Sequence, residues 1–239
     1  MILFPAVDIL DGRSVRLLHG KRDAVTDYGD PVDRAVRWAE AGAKFLHVVD
    51  LNGAFGDGDN AATIARIVRE TSLPVQVGGG IKSVDRAAYY IEEAGAERVI
   101  VGSAIALDPG AADAMCARFG RKIVAGIDVK DGFVAVKGWV EKSTMTALQA
   151  ALAMKERGSD TVVYTDISRD GDLSGVNAQA TAKLGKDSGM NIIASGGVGG
   201  MEDLSRLHSL GVYGAILGRA IYVGAIDLRE AVSLYGEGV

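Results

Sequence analysis

The stretch AVDILDG at residues 6–12 returns almost unchanged as GIDVKDG at residues 126–132. Each copy centres on an aspartate, Asp8 in the first and Asp128 in the second. The two aspartates lie 128 − 8 = 120 residues apart in a chain of 239. Because this spacing is almost half of the chain, we predict two similar halves, at about 1–120 and 121–239.

Three further pairs of segments repeat in the same way. The offsets between equivalent residues are 166 − 50 = 116, 196 − 79 = 117 and 218 − 102 = 116. A nearly constant offset over separate stretches indicates a duplicated fold unit. The pairs are VVDLNGAFGDGDN (48–60) with YTDISRDGDLSGVN (164–177), PVQVGGGIKS (74–83) with NIIASGGVGG (191–200), and RVIVGSAIAL (98–107) with GAILGRAIYV (214–223).

Short β-branched runs alternate with amphipathic segments along the whole chain. Such alternation favours parallel strands joined by right-handed helical crossovers. Together with the duplication it predicts one domain, residues 1–239, folded as an α/β TIM barrel, (β/α)8, from two (βα)4 half-barrels. A doubly wound sheet is the alternative fold, but it predicts no two-fold repeat. The predicted strands are 2–8, 44–50, 75–77, 98–101, 122–128, 161–166, 191–194 and 213–217.

Composition excludes several classes of protein. Hydrophobic residues make up 48% and charged residues 24%, as in ordinary globular domains. The net charge of −5 comes without a basic cluster for nucleic acid, and no apolar run reaches the roughly 18 residues of a membrane span. MILFPAVDIL lacks the basic start of a signal peptide, so we expect a cytoplasmic protein. Cys116, the single cysteine, stands among apolar residues and is expected to be buried.

Four aspartates end predicted strands and therefore face the rim where TIM-barrel active sites lie. Asp8 and Asp128 end the first and fifth strands, which stand opposite each other. We predict that these two are a general acid and a general base. Asp50 and Asp166 are expected to orient loops, since a strand-end carboxylate also accepts bonds from loop amides.

Two glycine clusters, VGGGI (77–81) and SGGV (195–198), follow the third and seventh strands. Glycine lets the backbone approach a ligand and direct N–H groups at an anion. Each cluster has a companion on the next strand, VGSA (101–104) and LGRA (217–220). Two such sites predict a small-molecule substrate with a phosphate at each end.

Three other residues leave alternatives open. His47 is either a hydrogen-bond donor to the substrate or a core histidine bonded to a carbonyl. Trp139 either stacks on a planar heterocycle or packs its loop, and Arg16 either contacts a ligand anion or is a solvated charge. His19 and His208 show no metal-ligand spacing, so we predict no metal site.

Taken together, the motifs resemble the family of phosphoribosylformimino-5-aminoimidazole carboxamide ribotide isomerases of histidine biosynthesis. The resemblance covers essentially the whole chain and implies a duplicated (β/α)8 barrel that acts without a cofactor on a bisphosphorylated substrate. The motifs are PAVDILDGRSVRL (5–17), FLHVVDLNGA (45–54), PVQVGGGIKS (74–83), VAGIDVKDG (124–132), VKGWVEKS (136–143), TDISRDGDLSG (165–175) and ASGGVGGMEDL (194–204).

The resemblance implies an Amadori rearrangement, in which an aminoaldose becomes an aminoketose. Asp128 would be the acid that opens the ribose ring, and Asp8 the base that removes the C2′ proton. Thr165 and Asp170 match positions that assist at the reacting part, and Trp139 matches the residue that stacks on the imidazole carboxamide. The residues that match the family's phosphate-binding positions are Gly79, Gly80 and Ser103 at one site and Gly196, Gly197, Gly218 and Arg219 at the other. We also predict, from the residues themselves, that Lys82, Arg16 and His47 bind the substrate.

The chain departs from the family pattern at three positions, and one loop points to a related activity. Lys82 replaces an arginine, Asn52 an aspartate and Val176 a proline. AFGDGDN (54–60) resembles the loop of bifunctional isomerases that also accept phosphoribosylanthranilate, whereas VGGGIK does not match their glycine cluster. The residues favour the monofunctional histidine-pathway enzyme, acting as a monomer.

Three rival functions stay open at this point. The cyclase subunit of imidazole glycerol phosphate synthase shares the repeat and both aspartates. A barrel that binds a flavin phosphate and a non-catalytic metabolite sensor would both keep the phosphate sites. Product analysis, the colour of the purified protein, and turnover separate these three from the isomerase.

Overall fold

The computed structural model describes residues 1–18, 21–136, 139 and 141–236. His19 lies outside the described residues, as do residues 137, 138 and 140 of the VKGWVEKS motif. The strands within the described residues are β1 (Ile2–Leu10), β2 (Arg13–Leu18), β3 (Lys21–Asp27), β4 (Leu46–Asp50), β5 (Val75–Gly78), β6 (Arg98–Val101), β7 (Ile123–Lys130), β8 (Phe133–Val136), β9 (Glu141–Thr146), β10 (Thr161–Asp166), β11 (Asn191–Ser195) and β12 (Gly214–Leu217).

Eight of these strands form a closed parallel barrel. Their order is β1, β4, β5, β6, β7, β10, β11 and β12, and the barrel closes because β12 pairs with β1. The closing pair aligns Ile2 with Gly214 near the two ends of the chain. The predicted TIM barrel is therefore confirmed. The doubly wound alternative is wrong, because a doubly wound sheet keeps two open edges.

Helices cover the outside of the barrel. The side chains of Ser83 and Thr146 cap helices, and Thr146 forms a capping box with Gln149. Asn60 also precedes a helix, but its amide bonds Asp50 instead of capping. The helices are α1 (Pro31–Glu40), α2 (Leu51–Phe55), α3 (Ala61–Thr71), α4 (Val84–Ala88, continued by a π-helical turn), α5 (Ala104–Leu107), α6 (Pro109–Phe119), α7 (Ala147–Glu156), α8 (Ala178–Ser188), α9 (Met201–Ser209), α10 (Arg219–Tyr222) and α11 (Leu228–Tyr235).

Both repeated heptads end in a β-hairpin that the sequence did not predict. Asp11 and Gly12 join β1 to β2 with φ of 49° and 74°, and Asp131 and Gly132 join β7 to β8 with φ of 53° and 85°. Asp-Gly with two positive φ values is the preferred two-residue hairpin turn. Antiparallel pairing across the turn extends β1 and β7 beyond the predicted ends.

Asp8 and Asp128 therefore lie two residues inside their strands, and the prediction that they end them is wrong. Asp50 and Asp166 do end β4 and β10 as predicted. The matching hairpins in the two halves support the proposed duplication.

Apolar side chains make up much of the barrel interior below Asp8. Ile2, Phe4 and Ala6 share the face of β1 that Asp8 occupies, because side chains alternate along a strand. They belong to a small buried cluster that also contains Phe45, Val124, Val163, Ile193 and Ile216. This cluster forms a floor beneath the rim. Cys116, which lies in the larger cluster under the helices, is 3% exposed, as predicted.

Equivalent glycines in the two halves pack against equivalent backbone. A Cβ on Gly79 would lie 2.1 Å from the carbonyl oxygen of Asp50, and one on Gly196 would lie 2.6 Å from that of Asp166. Both glycines have positive φ, 101° and 83°. These positions require glycine because the backbone at the end of the neighbouring strand lies directly against them.

Gly79→Ala is expected to lower the free energy of unfolding by about 3 kcal/mol, because the new Cβ meets backbone that cannot move away. Gly224→Ala is the matched control: its φ is also positive, 76°, but its Cβ would meet nothing within 4 Å. In the control the free energy of unfolding should fall by about 1–2 kcal/mol, because only the backbone conformation is unfavourable for alanine. Urea unfolding of both variants measures the difference. Equal decreases in the free energy of unfolding of the two variants would contradict the close contact between residue 79 and the Asp50 backbone.

Within the described residues no helix has both the length and the apolar composition to cross a bilayer.

Candidate active site

A cavity of about 320 Å³ opens at the carboxyl ends of the barrel strands. Every residue that the sequence predicted for catalysis or substrate binding lines it, although the predicted residues come from widely separated segments. They are Asp8, Arg16, His47, Gly79, Gly80, Lys82, Ser103, Asp128, Trp139, Thr165, Asp170, Gly196, Gly197, Gly218 and Arg219. Their individual roles stay predictions.

Asp8 is bound by a cation from the neighbouring strand. Arg16 on β2 donates from Nη1 to Asp8 Oδ2 at 2.6 Å and from Nη2 to the carbonyl oxygen of Ala6 at 3.0 Å. The guanidinium also lies 4.9 Å from the ring centre of Tyr222. The Arg16 side chain is only 14% exposed, so the reading of Arg16 as a solvated charge is wrong.

The pKa of Asp8 reflects two opposed influences. Burial raises the pKa of Asp8, while the charge and hydrogen bond of Arg16 lower it. The net shift is upward. Arg16 thus limits the rise and favours the ionised carboxylate, which is the form a base needs.

Asp128 has neutral partners. The indole N–H of Trp139 donates to Asp128 Oδ2 at 2.8 Å, and Thr165, its register partner on β10, also hydrogen-bonds the carboxyl group. Burial raises the pKa of Asp128, and these two hydrogen bonds lower it less. Two carboxyl groups in one cavity, one ion-paired and one with neutral donors, are in the different environments that acid and base roles require.

Trp139 takes a position that the sequence did not predict. Its φ is 72°, an uncommon value for a tryptophan, and its indole nitrogen binds Asp128. Its ring also lines the cavity. Stacking on a heterocycle stays a prediction, whereas the bond to Asp128 ties this loop residue to the carboxyl group.

A third carboxyl group, Asp170, lies in the loop after β10 and lines the same cavity. Burial is the largest cause that raises its pKa, to about 7, and the charges of Asp8 and Asp128 raise it as well, while Arg16 opposes them. A carboxyl group with this pKa holds a proton over much of the range below neutral pH. Below neutral pH the cavity therefore contains at least one protonated carboxyl group.

Asp170→Asn is expected to stabilise the protein increasingly as the pH rises from about 4 to about 7. Over that interval the folded chain holds a proton that the unfolded chain, with an ordinary pKa of 3.8, has released. The stability that this proton confers is complete below pH 3.8 and is lost as the pH rises through about 7. The difference between variant and wild type should grow by at most about 1.4 kcal/mol per pH unit.

Chemical unfolding of both proteins across this pH range tests the shift. A difference that does not depend on pH would contradict the raised pKa.

Both glycine clusters open into the cavity at the same end of the barrel, on opposite walls. Gly79 and Gly80 follow β5, with Ser103 after β6 and the exposed Lys82 beside them. The second wall carries the counterparts Gly196 and Gly197 after β11, with Gly218 and Arg219 after β12. Each wall thus combines glycine-rich backbone with one cation, a chemistry that suits a phosphate.

The loop after β4 is fixed by a buried network around Asp50, as expected of this residue, but its side-chain partners were not predicted from the sequence. Asp50, which is 0% exposed, accepts bonds from the Asn60 backbone and amide, from Arg86 Nη2 at 3.1 Å and from the hydroxyl of Tyr90 at 3.0 Å. Asn52 accepts from the Asp11 backbone and donates to the Asp11 carboxylate, both at 2.8 Å. An aspartate at position 52, as in the family pattern, could not donate a hydrogen bond to the Asp11 carboxylate. Asparagine at this position is therefore compatible with the hairpin.

The AFGDGDN loop contacts the first hairpin. Arg22 on β3 pairs with Asp57 and lies 4.7 Å over the ring of Phe55, which also lines the cavity. The loop therefore connects the hairpin to one wall of the site. The described residues contain no group of three or more His, Cys, Asp or Glu side chains placed to hold a metal ion.

The fold is a TIM barrel with a cavity at the carboxyl ends of its strands, and comparison with known proteins gives the family of the chain. Residues 2–227 match the family described as histidine biosynthesis protein, and the chain belongs to that family.

Curated relatives match over nearly their full length. A protein of Desulforamulus reducens is 48% identical over 97% of this chain and 96% of its own. Proteins of Hahella chejuensis and Carboxydothermus hydrogenoformans are each 45% identical, over 97% and 98% of both chains respectively. All three are named 1-(5-phosphoribosyl)-5-((5-phosphoribosylamino)methylideneamino)imidazole-4-carboxamide isomerase.

Proposed function

We propose that the chain is the aldose–ketose isomerase of histidine biosynthesis, which converts N′-phosphoribosylformimino-5-aminoimidazole carboxamide ribotide to its phosphoribulosyl isomer by an Amadori rearrangement. One observation carries the proposal. Two carboxyl groups, on β1 and β7, and two glycine turns, after β5 and β11, line one cavity. Each pair is four strands apart in the barrel of eight, so the line between the carboxyl groups crosses the line between the turns.

A substrate with a phosphate at each end fits this arrangement. When both phosphates are held at the glycine turns, the middle of the molecule lies between Asp8 and Asp128. Lys82 and Arg219 each add a positive charge to one of the two walls. The reacting ribose is then positioned by binding energy from parts of the substrate that do not react.

The first step in this proposal is ring opening by Asp128. Burial raises the pKa of Asp128 by more than its two neutral hydrogen-bond donors lower it, so the carboxyl group retains a proton more readily than an exposed one. Asp128 gives that proton to the ring oxygen, the bond between C1′ and this oxygen breaks, and a protonated Schiff base forms at C1′. Trp139 and Thr165 hold the carboxyl group in place as it changes charge.

The second step is removal of the C2′ proton by Asp8, whose ionised form is favoured by its ion pair with Arg16. The electron pair of the broken C–H bond moves into the C1′–C2′ bond and neutralises the Schiff base to an enolamine. A proton added at C1′ and one lost from the C2′ hydroxyl then produce the ketose. No atoms are gained or lost, so the reaction needs no outside oxidant or reductant.

The remaining assignments are part of the same proposal. Asp170 assists proton transfer at the reacting part, His47 donates to the sugar, and Trp139 stacks on the imidazole carboxamide. The partner is the bisphosphorylated small molecule alone. We propose that the enzyme works as a cytoplasmic monomer without a metal or cofactor, and that it binds neither nucleic acid nor membranes.

Product analysis tests the proposed function. The purified protein is incubated with the aminoaldose, and the product is identified by chromatography and mass spectrometry. We expect the aminoketose, which has the same mass as the substrate and a different retention time. A cyclised imidazole product would support the cyclase reading instead, and tight binding without turnover would support a sensor.

We predict a strong preference for the histidine-pathway substrate over phosphoribosylanthranilate. The second compound has one phosphate, so one glycine turn is left without its ligand, and its carboxylate requires a cation. Lys82 provides a point charge where arginine would bind a carboxylate with two parallel bonds. The ratio of kcat/KM should exceed about tenfold, since one lost charged interaction contributes roughly 1.4 kcal/mol or more.

Lys82→Arg serves as the matched variant and is expected to narrow this ratio. Values of kcat/KM within tenfold of each other in the wild type would make the enzyme bifunctional and would overturn the argument from Lys82.

A further inference from the structure

Three buried polar side chains form a row across the interior of the barrel. His47, Gln76 and Arg98 are register partners on β4, β5 and β6, and they are 8%, 0% and 9% exposed. Gln76 Nε2 lies 3.0 Å from His47 Nδ1. Arg98 Nε and Nη2 lie 3.0 and 2.8 Å from Gln76 Oε1. Only His47, at one end of this row, lines the cavity.

Arg98 determines which way the amide of Gln76 points. A guanidinium only donates hydrogen bonds, so its two bonds must be accepted by the amide oxygen. A flipped amide would place its NH2 group against the guanidinium and lose both bonds. Arg98 is itself fixed, since it lies 5.4 and 4.8 Å from the ring centres of Phe4 and Phe45.

Gln76 in turn determines where His47 carries its proton. The amide nitrogen that faces the ring only donates, so Nδ1 must accept and the neutral ring has its proton on Nε2. Burial, and then the charges of Arg16 on β2 and Arg98 on β6, lower the pKa of His47 to about 3. No described residue hydrogen-bonds Nε2, and the ring borders the cavity.

We propose that Gln76 and Arg98 are positioning residues that keep His47 as the neutral Nε2–H tautomer, so that the cavity floor presents a fixed hydrogen-bond donor to a sugar oxygen. His47 is level with Ala6, two residues below Asp8 on β1. The donor is therefore directed at the part of the substrate nearest the base. The choice of a sugar oxygen rests on the proposed function, whereas the tautomer rests on the contacts of the row alone.

A neutral donor fits this place better than a cation would. An imidazolium would add a third positive charge beside Arg16 and Arg98, which act on the same ring. It would also compete for the Asp8 carboxylate, which the reaction needs as a base. A neutral N–H instead binds a hydroxyl oxygen without changing the charge of the cavity.

Nitrogen NMR of protein labelled at histidine tests the tautomer directly. The chain has three histidines, His19, His47 and His208, and a His47→Asn variant assigns the signals. We expect an unprotonated Nδ1 and a protonated Nε2, unchanged between about pH 5 and 8, where an ordinary histidine titrates. A protonated Nδ1, or a titration in this range, would overturn the inference.

Gln76→Glu tests the cause of the tautomer. The carboxylate keeps the shape of the side chain and the bonds from Arg98, but it accepts from the ring instead of donating. We expect the His47 Nδ1 to become protonated and kcat/KM for the aminoaldose to fall about tenfold, the effect of one hydrogen bond. Gln149→Glu makes the same chemical change at the start of α7, outside the cavity, and should leave both readouts as in the wild type.

The other possible results of the Gln76→Glu experiment also test the inference. An unchanged His47 spectrum in Gln76→Glu overturns the positioning role, and a changed spectrum with unchanged kcat/KM overturns the contact with substrate. If Gln76→Glu does not fold, the double variant Gln76→Met/Arg98→Met removes the buried pair while filling the core, and it should lose the single tautomer.

The proposed function and this inference fail in different ways. A wild-type protein that makes no ketose but shows the expected tautomer contradicts only the proposed function. Normal turnover with a different protonation state of His47 contradicts only the inference.

Discussion

Asp8→Asn is expected to lower kcat for the aminoaldose by roughly 10²- to 10⁴-fold, the usual contribution of a general base. An amide cannot remove the C2′ proton, although its oxygen still accepts a bond from Arg16. Because both glycine turns remain intact, the dissociation constant of the substrate should stay within a fewfold of the wild-type value. Steady-state kinetics together with equilibrium binding measure the two effects separately.

Asp11→Asn is the matched control for this variant. Asp11 lies three residues further along, at the hairpin turn, and does not line the cavity. Its φ of 49° is one that asparagine tolerates, and the amide oxygen can still accept from Asn52. The control removes the same charge and should keep near-normal turnover. Turnover by Asp8→Asn at the level of this control would show that the base is another residue, with Asp170 as the next candidate.

Asp128→Asn should cause a loss of similar size, roughly 10²- to 10⁴-fold in kcat, because an amide cannot protonate the ring oxygen. Its oxygen retains the bond from Trp139, so the loop after β7 should keep its position. The double variant Asp8→Asn/Asp128→Asn should be little slower than the slower single variant, since acid and base act on one reaction sequence. Kinetics of all three variants provide this comparison.

Asp131→Asn is the control in the second half of the chain. Asp131 is exposed at the hairpin turn with a φ of 53°, the counterpart of Asp11. Near-normal turnover by Asp128→Asn would contradict its role as the acid. Fully additive losses in the double variant would contradict the shared reaction sequence.

The barrel and the location of the cavity could be predicted because their signals are short and occur twice. A strand that ends in aspartate or glycine marks the rim of the barrel where the site lies. The constant offset then shows which strand ends of the two halves are equivalent. The predicted bounds of β6 and β10 match the structure to the residue because those strands are buried and continuous. Because all eight parallel strands end at the same face of the barrel, residues at their carboxyl ends must lie close together.

The hairpins and the ion pair could not be predicted in the same way. β2 and β3 lack a regular alternation of apolar and polar residues, so their sequences resemble those of loops. The Arg16–Asp8 pair depends on the antiparallel register across the Asp11–Gly12 turn, which only a hairpin prediction would have provided. In both heptads, an Asp-Gly pair followed by alternating residues was the sequence signal from which a hairpin could have been predicted.

The row of His47, Gln76 and Arg98 and the network around Asp50 depend on contacts between separate strands and helices. Gln76 and Arg98 stand in ordinary strand sequence, and only their registers in the barrel bring them together. Arg86 and Tyr90 reach Asp50 from the helical segment after β5. Such contacts between distant parts of the chain need the folded coordinates.

One NMR experiment tests the central claim most directly. The aminoaldose is labelled with carbon-13 at C1′ and C2′ and is followed by carbon NMR with the wild-type protein and with Asp8→Asn in parallel. For the wild type we predict that the C2′ signal moves to that of a ketone carbonyl while C1′ becomes a methylene carbon, and that Asp8→Asn leaves both signals almost unchanged over the same time. An unaltered substrate with the wild type, or equally fast conversion with Asp8→Asn, would contradict the account.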